Sequence, residues 1–445
     1  MDPAELDRLA DRFVVLTGRY GPLFGGWGGW ERGEQYLRGL LVGGDERRNA
    51  ENLAEHVDGA TPRGLQRFLS EARWSADRVI ERIQEDVALL LEEPDAVFVV
   101  DETGFTKQGT KSVGVARQYS GTMGKVGNCQ IGVFLGYASS RGHALIDARV
   151  YLPEAWTDDP ERCRAAGVPD EIGFMTKPAL ALAMLRQARA RGHLQARWVT
   201  GDAVYGGNPE FRDAVDGDGL WYVLDVPIPT AICPVTGTAP TTALAPGQSR
   251  HRDDPGRPTT VEALAAGLPA ERWQTLTIGL GAQGPRMYQF AQHRVREIRA
   301  GVIGREVTAL FRRNPDGSEL KQYLTNAPPG VPLLVLGQVA SRRWTIETGF
   351  EQAKGEAGLD EYEVRGWLGW YHHIALALLA SLFLLQLKQE VGGKSARPDD
   401  PTSEPDPPSP PAAPDLEPQR PAGLARRDSD SQRRRLAVSR PQTAA

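Results

Sequence analysis

The spacing of apolar residues divides the chain into a helical first part and a mixed second part. Up to about residue 93, apolar positions recur three and four residues apart, as in Leu53–Val57, Leu65–Leu69 and Val79–Ile83, and this is the period of an amphipathic helix. Thr61-Pro62 is typical of a helix start, with a capping side chain and a proline in the first turn. These short helices predict either a helix-turn-helix-like module or a small bundle that serves only as packing.

From residue 94 the pattern changes to short apolar runs that alternate with helical segments. The Ala-rich segment Pro178–Arg191 predicts a helix that ends at Gly192, and Pro209–Val215 predicts a shorter one. The apolar runs predict strands at Val97–Val100, Val113–Tyr119, Gln130–Tyr137, His143–Leu152, Arg197–Thr200 and Leu220–Val226. Several neighbouring strands, followed by helix, strand, helix and strand, predict an α/β fold with a mixed sheet flanked by helices.

The second half of the chain has three different compositions. Residues 227–330 are rich in Pro, Gly and Thr, with strand-like runs such as Val307–Phe311, and predict a β-rich insertion. Residues 331–391 are helical in pattern and include the apolar run Ile374–Leu387, whose 14 residues fall short of the roughly 18 that span a membrane. We therefore expect a buried core helix and no membrane partner. The Pro-rich residues 392–445 predict a disordered tail.

Charge and cysteine content change this picture little. The chain has 52 basic and 57 acidic residues and a net charge of −5, which counts mildly against a protein that coats nucleic acid, because phosphate contacts come from Lys and Arg. The three cysteines are far apart and indicate neither a disulfide framework nor a zinc site. The N-terminus does not have the pattern of a signal peptide. These features predict a cytoplasmic location.

Two acidic residues lie where strands are predicted to end. Asp101 follows the apolar run that begins at Ala96, and Asp202 follows the run that begins at Trp198. A single Asp in such a place is more often a turn or cap residue. However, the carboxyl ends of strands in open α/β sheets are where ligand sites collect, and paired Mg²⁺ ions need several hard oxygen ligands. The two together predict a metal site in one crevice.

A third carboxylate lies on a predicted helix between two cations. Arg343 is four residues before Glu347 and Lys354 is seven residues after it, so that at 3.6 residues per turn the three share one face. Such a stripe is often only a solvated face with weak ion pairs. With the two aspartates it predicts a metal-dependent enzyme that acts on nucleic acid. Glu351 lies on the same stripe, and spacing alone does not separate it from Glu347.

Several motifs of the chain match a known family. They are Asp101–Phe105, Ser112–Gly121, Gly201–Gly206, the spacing of Arg343, Glu347 and Lys354, and Gly358–Gly366. Over roughly residues 30–388 the chain resembles the DDE transposases of bacterial insertion sequences, in the IS4-like superfamily and, within it, the IS701 type. The family signature is Tyr, two residues, Arg, three residues, Glu, six residues, Lys, which favours Glu347 over Glu351. Ala340 stands where the family has tyrosine.

The resemblance implies an RNase H-like catalytic core formed by residues 94–226 and 331–391, with residues 1–93 as a possible DNA-binding domain. It implies that Asp101, Asp202 and Glu347 hold two Mg²⁺ ions, for which Mn²⁺ could substitute, and that Arg343 and Lys354 bind DNA phosphates. In some relatives a tryptophan of the insertion stacks on a flipped base, and Trp273 is the candidate here.

The activity that this resemblance implies is cut-and-paste transposition by a homodimer bound to terminal inverted repeats and target DNA. Two alternatives remain open at this stage. One is a non-catalytic DNA-binding protein that kept the fold, and the other is an RNase H-like nuclease that cuts DNA without joining it.

Overall fold

A computed structural model of the chain describes residues 3–42, 47–235, 257–281 and 284–395. The first part is helical, as expected, and its helices are α1 (Pro3–Tyr20), α2 (Gly26–Val42), α3 (Ala50–Glu55), α4 (Pro62–Ser70) and α5 (Ala76–Leu91). Helix α4 begins as its sequence predicts, because the Thr61 hydroxyl caps it by accepting a hydrogen bond from the Gly64 amide, with Pro62 in the first turn.

Strands and helices then alternate. In chain order the elements are β1 (Val97–Thr106), β2 (Ala116–Ser120), β3 (Lys125–Ser139), β4 (Gly142–Val150), α6 (Glu154–Thr157), α7 (Pro160–Ala165), α8 (Lys177–Arg191), β5 (Trp198–Gly201), α9 (Ala203–Gly206), α10 (Pro209–Gly217) and β6 (Trp221–Asp225). They continue with β7 (Ala231–Pro234), β8 (Thr259–Thr260), α11 (Val261–Ala266), β9 (Gln274–Gly281), β10 (Gly284–Arg299), β11 (Val302–Arg313), β12 (Lys321–Thr325), α12 (Leu333–Arg342), α13 (Trp344–Ala357) and α14 (Trp367–Ser395).

The strands of the described residues form one sheet, in the order β2-β3-β1-β5-β6-β12-β11-β10-β7-β8, with β4 also paired to β3 and β9 to β10. Strand β3 is antiparallel to both of its neighbours β4 and β1, while β1, β5 and β6 are parallel. Helices α8 and α13 pack against β1 and β4. Three antiparallel strands followed by two that are parallel to the central one is the RNase H-like arrangement, and the expected fold class is confirmed.

Helix α14 runs through the hydrophobic core. Its apolar window, Trp367–Glu390, is long and apolar enough to cross a membrane by length and composition, and 72% of it is buried inside the protein. It packs against α2, α4, α5 and α13. An apolar helix that is covered by amphipathic helices in this way is typical of a protein core, in keeping with the interpretation of this segment from sequence.

The structure differs from the sequence predictions at several elements. Strand β1 does not end at Asp101 but continues to Thr106, because its antiparallel pairing with β3 extends to that residue. Residues Val113–Val115 are buried without being a strand, and the Val113 amide donates instead to the Arg365 carbonyl. Strand β10 was not predicted. The proposed domain bounds remain predictions, and most of the predicted tail lies outside the described residues.

Candidate active site

Three aspartates lie at the point where the parallel pairing of β1, β5 and β6 ends. In the register of the sheet, Val100 of β1 lies opposite Gly201 of β5, and Gly201 lies opposite Leu224 of β6. The next residue of each strand is an aspartate, namely Asp101, Asp202 and Asp225. Asp225 was missed from the sequence, although it ends the apolar run that begins at Trp221 in the same way. The sheet therefore presents a row of carboxylates along one edge.

The turn after β5 brings its helix very close to the end of β6. Asp202 caps α9 by accepting a hydrogen bond from the Val204 amide at 2.9 Å. A Cβ atom on Gly206 would lie 1.8 Å from the Asp225 carbonyl oxygen, so only glycine fits there. Gly206 thus allows α9 to lie close to β6, and this close packing holds Asp202 next to the neighbouring strands.

Glu102 joins the two predicted aspartates. Ligand oxygens of Asp101, Glu102 and Asp202 all lie within 4.8 Å of one another. The Glu102 carboxylate is held by the Lys177 ammonium at 2.7 Å and by the Tyr205 hydroxyl at 2.8 Å. Alternate residues of a strand point to opposite faces, so Glu102 reaches towards α8 and α9 while Asp101 faces α13. The role of Glu102 was not foreseen from sequence.

Arg343 connects the aspartates to Glu347. Its three guanidinium nitrogens each lie near a different carboxylate: Nη2 donates to Glu347 Oε1 at 2.5 Å, Nη1 is 3.4 Å from Asp101 Oδ2, and Nε is 3.8 Å from Asp225 Oδ2. Glu351, one turn further along α13, is exposed. The structure thus links Glu347 to Asp101 and Asp225 through Arg343, whereas the Glu351 side chain is exposed to solvent.

The three aspartates at this edge resist ionisation. Burial and the neighbouring Asp202 charge raise the pKa of Asp101 to about 8, against the pull of Arg343. Burial and Glu102 raise the pKa of Asp202, and burial raises the pKa of Asp225 to about 6. One oxygen of Asp225, Oδ1, is buried without a hydrogen-bond partner. Shifts of this kind mark an excess of negative charge in a poorly solvated place.

The donor set fits a hard divalent cation. Among the described residues, Arg343 and Lys177 are the two basic side chains that contact this group of five carboxylates. Carboxylate oxygens are the ligands that Mg²⁺ and Mn²⁺ prefer. A divalent ion would lower the pKa of each carboxyl group that it contacts. Asp101, Glu102 and Asp202 are close enough together to share one ion, and Glu347 lies on the far side of the Arg343 guanidinium.

Lys354 and Trp273, the other two predicted DNA-binding residues, differ in how close they lie to these carboxylates. The Lys354 ammonium donates to the Thr103 hydroxyl at 2.8 Å, two residues beyond Asp101 on the same face of β1. Trp273 precedes β9 and is partly buried, with the Arg313 guanidinium 3.9 Å from its ring centroid and the Phe311 ring 6.5 Å away. Within the described residues, the structure shows no contact between Trp273 and the carboxylates.

Comparison with known proteins shows the family of this chain. A family model described as "DDE superfamily endonuclease" matches residues 29–285, which is more than half of the chain. The chain belongs to the DDE superfamily of endonucleases. The matched residues include β1 and β5, with Asp101 and Asp202, and they end before α13, the helix that carries Glu347.

A curated protein and a solved structure are also similar to this chain. A probable transposase for insertion sequence element IS701 from Microchaete diplosiphon is 25% identical over 194 residues, which are 43% of this chain and 48% of that protein. The chain thus spans about half the length of this curated relative, and the expected resemblance to an IS701 transposase is confirmed as a similarity over that part. A piggyBac transposase synaptic complex with hairpin DNA is 10% identical, with a TM-score of 0.38, over 82% of this chain and 66% of that one.

Proposed function

We propose that this protein is the transposase of an IS701-type insertion sequence, and that it cuts and joins DNA at the terminal inverted repeats of that element. The observation that carries the proposal is the row of register-aligned aspartates where the parallel pairing of β1, β5 and β6 ends. Asp101 and Asp202 lie close together there, and Arg343 contacts both Asp101 and Glu347. Family membership supports the chemistry, and the IS701 relative supports the class of element.

In this proposal Asp101, Asp202 and Glu347 hold two Mg²⁺ ions, with Mn²⁺ as a substitute. Bound ions of this kind activate a water or a 3′-hydroxyl for attack on a phosphodiester and stabilise the charge that develops there. Asp101 is held in place by its own β1 strand, since it lies within the pairing with β3. Asp202 is fixed by its cap on α9. Both carboxylates therefore belong to rigid elements, which suits a site that must position its ligands closely.

The DNA contacts in this proposal come from three places. Arg343 and Lys354 lie beside the carboxylates and bind backbone phosphates, which position DNA without reading its sequence. Trp273, on the insertion, stacks on a base that leaves the duplex. The N-terminal helices supply the sequence-specific contacts to the inverted repeats. Two ends held together imply a homodimer on DNA, acting in the cytoplasm.

The test is cleavage of DNA that carries the ends of the element, in Mg²⁺, by purified variants. Asp101→Asn, Asp202→Asn and Glu347→Gln should each lower the cleavage rate by about 100-fold or more, the scale of losing one charge-stabilising group at a reaction centre. Glu351→Gln is the matched control, because it neutralises an exposed carboxylate one turn away on the same helix, and it should keep the wild-type rate. Full cleavage by Glu347→Gln together with loss in Glu351→Gln would reverse the assignment of the third carboxylate.

A nuclease that cuts without joining is the second candidate, because the matching family is described by its endonuclease activity. The same reaction separates the two functions when a supercoiled target plasmid is added. Joined products that depend on Asp101 support a transposase, while cleavage without any joined product supports the nuclease. Specific binding of the ends by wild-type protein that never cuts would favour a non-catalytic DNA-binding protein.

A further inference from the structure

Arg343 contacts carboxylates that have two different roles in the proposed function. Asp101 and Glu347 are the residues proposed to hold divalent ions, and each contacts one terminal nitrogen of the guanidinium. A guanidinium and a metal ion compete for the same carboxylate oxygens, since both are cations that need them. Binding of the ions must therefore weaken the contacts of Arg343 with these two residues.

Asp225 is the third partner of Arg343 and is not among the proposed metal ligands. Its Oδ2 atom lies 3.8 Å from Arg343 Nε, and its Oδ1 atom is buried without a hydrogen-bond partner. The backbone of Asp225 lies opposite Tyr323 in the pairing of β6 with β12, and the residue before it, Leu224, lies opposite Gly201 of β5. Asp225 thus offers a carboxylate on a paired strand, with one oxygen near Arg343 Nε and a second oxygen that has no hydrogen-bond partner.

We propose that Asp225 is a positioning residue that draws Arg343 away from Asp101 and Glu347, so that these carboxylates can take divalent ions while the guanidinium stays at the site. This inference rests on the proposed function, since it presumes that Asp101 belongs to a metal site. Its chemical consequence is a competition: the more firmly Asp225 holds Arg343, the less Arg343 opposes the ions. Without Asp225, the guanidinium would remain bound to the two carboxylates that the ions need.

The experiment is a double-mutant cycle on the affinity of the full-length, DNA-free protein for Mn²⁺, measured by calorimetry and by the loss of the free Mn²⁺ electron paramagnetic resonance signal. Arg343→Gln should bind Mn²⁺ more tightly than wild type, by about 10-fold, and Asp225→Asn more weakly by a similar factor, which is within the range of coupling energies between contacting charged residues. In the Arg343→Gln background, Asp225→Asn should change the affinity by less than about 3-fold, the part that acts through space alone.

Three controls make each outcome decisive. Asp225→Glu keeps a carboxylate and should retain most of the wild-type affinity. Unfolding in urea should show that every variant is folded under the binding conditions. Equal weakening by Asp225→Asn in both backgrounds would mean that Asp225 ligates the ion itself, and no weakening in either would mean that it has no part; both results overturn the proposal. If Asp101→Asn leaves Mn²⁺ binding unchanged, or if no protein binds Mn²⁺, the proposed metal site fails as well.

Discussion

Replacement of Asp101 by asparagine should stabilise the metal-free protein at alkaline pH, although it removes a residue of the proposed active site. Burial and the charge of Asp202 raise the pKa of Asp101 from 3.8 to about 8. A carboxyl group whose pKa is higher in the folded than in the unfolded protein binds more protons when folded, so the free energy of unfolding decreases as the pH rises from about 4 to about 8. Above pH 8 the carboxylate is ionised in both the folded and the unfolded protein, and the decrease in the free energy of unfolding has reached its full size.

The size of this effect follows from the pKa and from the exposure of the side chain. A rise from 3.8 to about 8 corresponds to about 6 kcal/mol at 1.36 kcal/mol per pH unit. That figure is a ceiling, because Asp101 and Asp202 titrate together and because the Asp101 side chain is 13% exposed to water. We expect Asp101→Asn to raise the free energy of unfolding at pH 8.5 by about 2 kcal/mol, a third of the ceiling.

The assay is urea unfolding in EDTA at pH 5.0 and at pH 8.5, for wild type, Asp101→Asn and Glu351→Gln. Asp101→Asn should gain stability over wild type mainly at the higher pH, and Glu351→Gln, which changes an exposed charge, should follow wild type at both. Added Mg²⁺ should stabilise wild type more than Asp101→Asn, because a ligand that binds only the folded state stabilises it. The reasoning would be refuted if Asp101→Asn were no more stable than wild type at pH 8.5, or if the difference in stability between the two did not change with pH.

Three other predictions concern the core and the DNA contact. Glu297→Gln should lower the free energy of unfolding in urea by about 3 kcal/mol or more, because it leaves Arg212, only 4% exposed, without its carboxylate; a loss below 1 kcal/mol would contradict this. Burial lowers the pKa of His373 to about 3, so the free energy of unfolding should fall as the pH drops from about 6.5 towards 3. His373→Asn should make that fall smaller, which urea unfolding at pH 7 and pH 4 can show. Lys354→Ala should reduce the slope of log DNA affinity against log salt by about one, and an unchanged slope would mean that Lys354 does not bind phosphate.

The strands that were predicted from sequence are those whose apolar residues are continuous. Strand β3 is buried along most of its length and β5 along all of it, so each shows as a short β-branched run. Strand β10 is 16 residues long but mostly half-buried or exposed, and its Arg, Gln and Glu side chains hide any clear alternation. Its place in the sheet comes from pairing with β9, β11 and β7, and such partners far along the chain are not visible in a local pattern.

The candidate site shows the same division between local and distant information. Asp101 and Asp202 stand out because each follows an apolar run and precedes turn-forming residues. Asp225 follows a similar run, but its importance depends on the register between β5 and β6, which places it beside Asp202. The choice between Glu347 and Glu351 likewise depends on the direction of α13 relative to β1. A helix stripe gives spacing along one element, and only packing shows which member of the stripe faces the sheet.

The charges at the strand ends differ from those of the buried ion pairs elsewhere in the described residues. In the core, buried carboxylates have arginine partners at short distance, as in Asp86 with Arg19, Asp147 with Arg149 and Glu297 with Arg212. Burying a carboxylate costs several kcal/mol unless a cation compensates it, and these pairs meet that condition. At the edge of the parallel strands, five carboxylates share Arg343 and Lys177. Two basic side chains of the described residues contact these five carboxylates, which leaves more negative charge here than in the three pairs and fits the divalent ions of the proposed function.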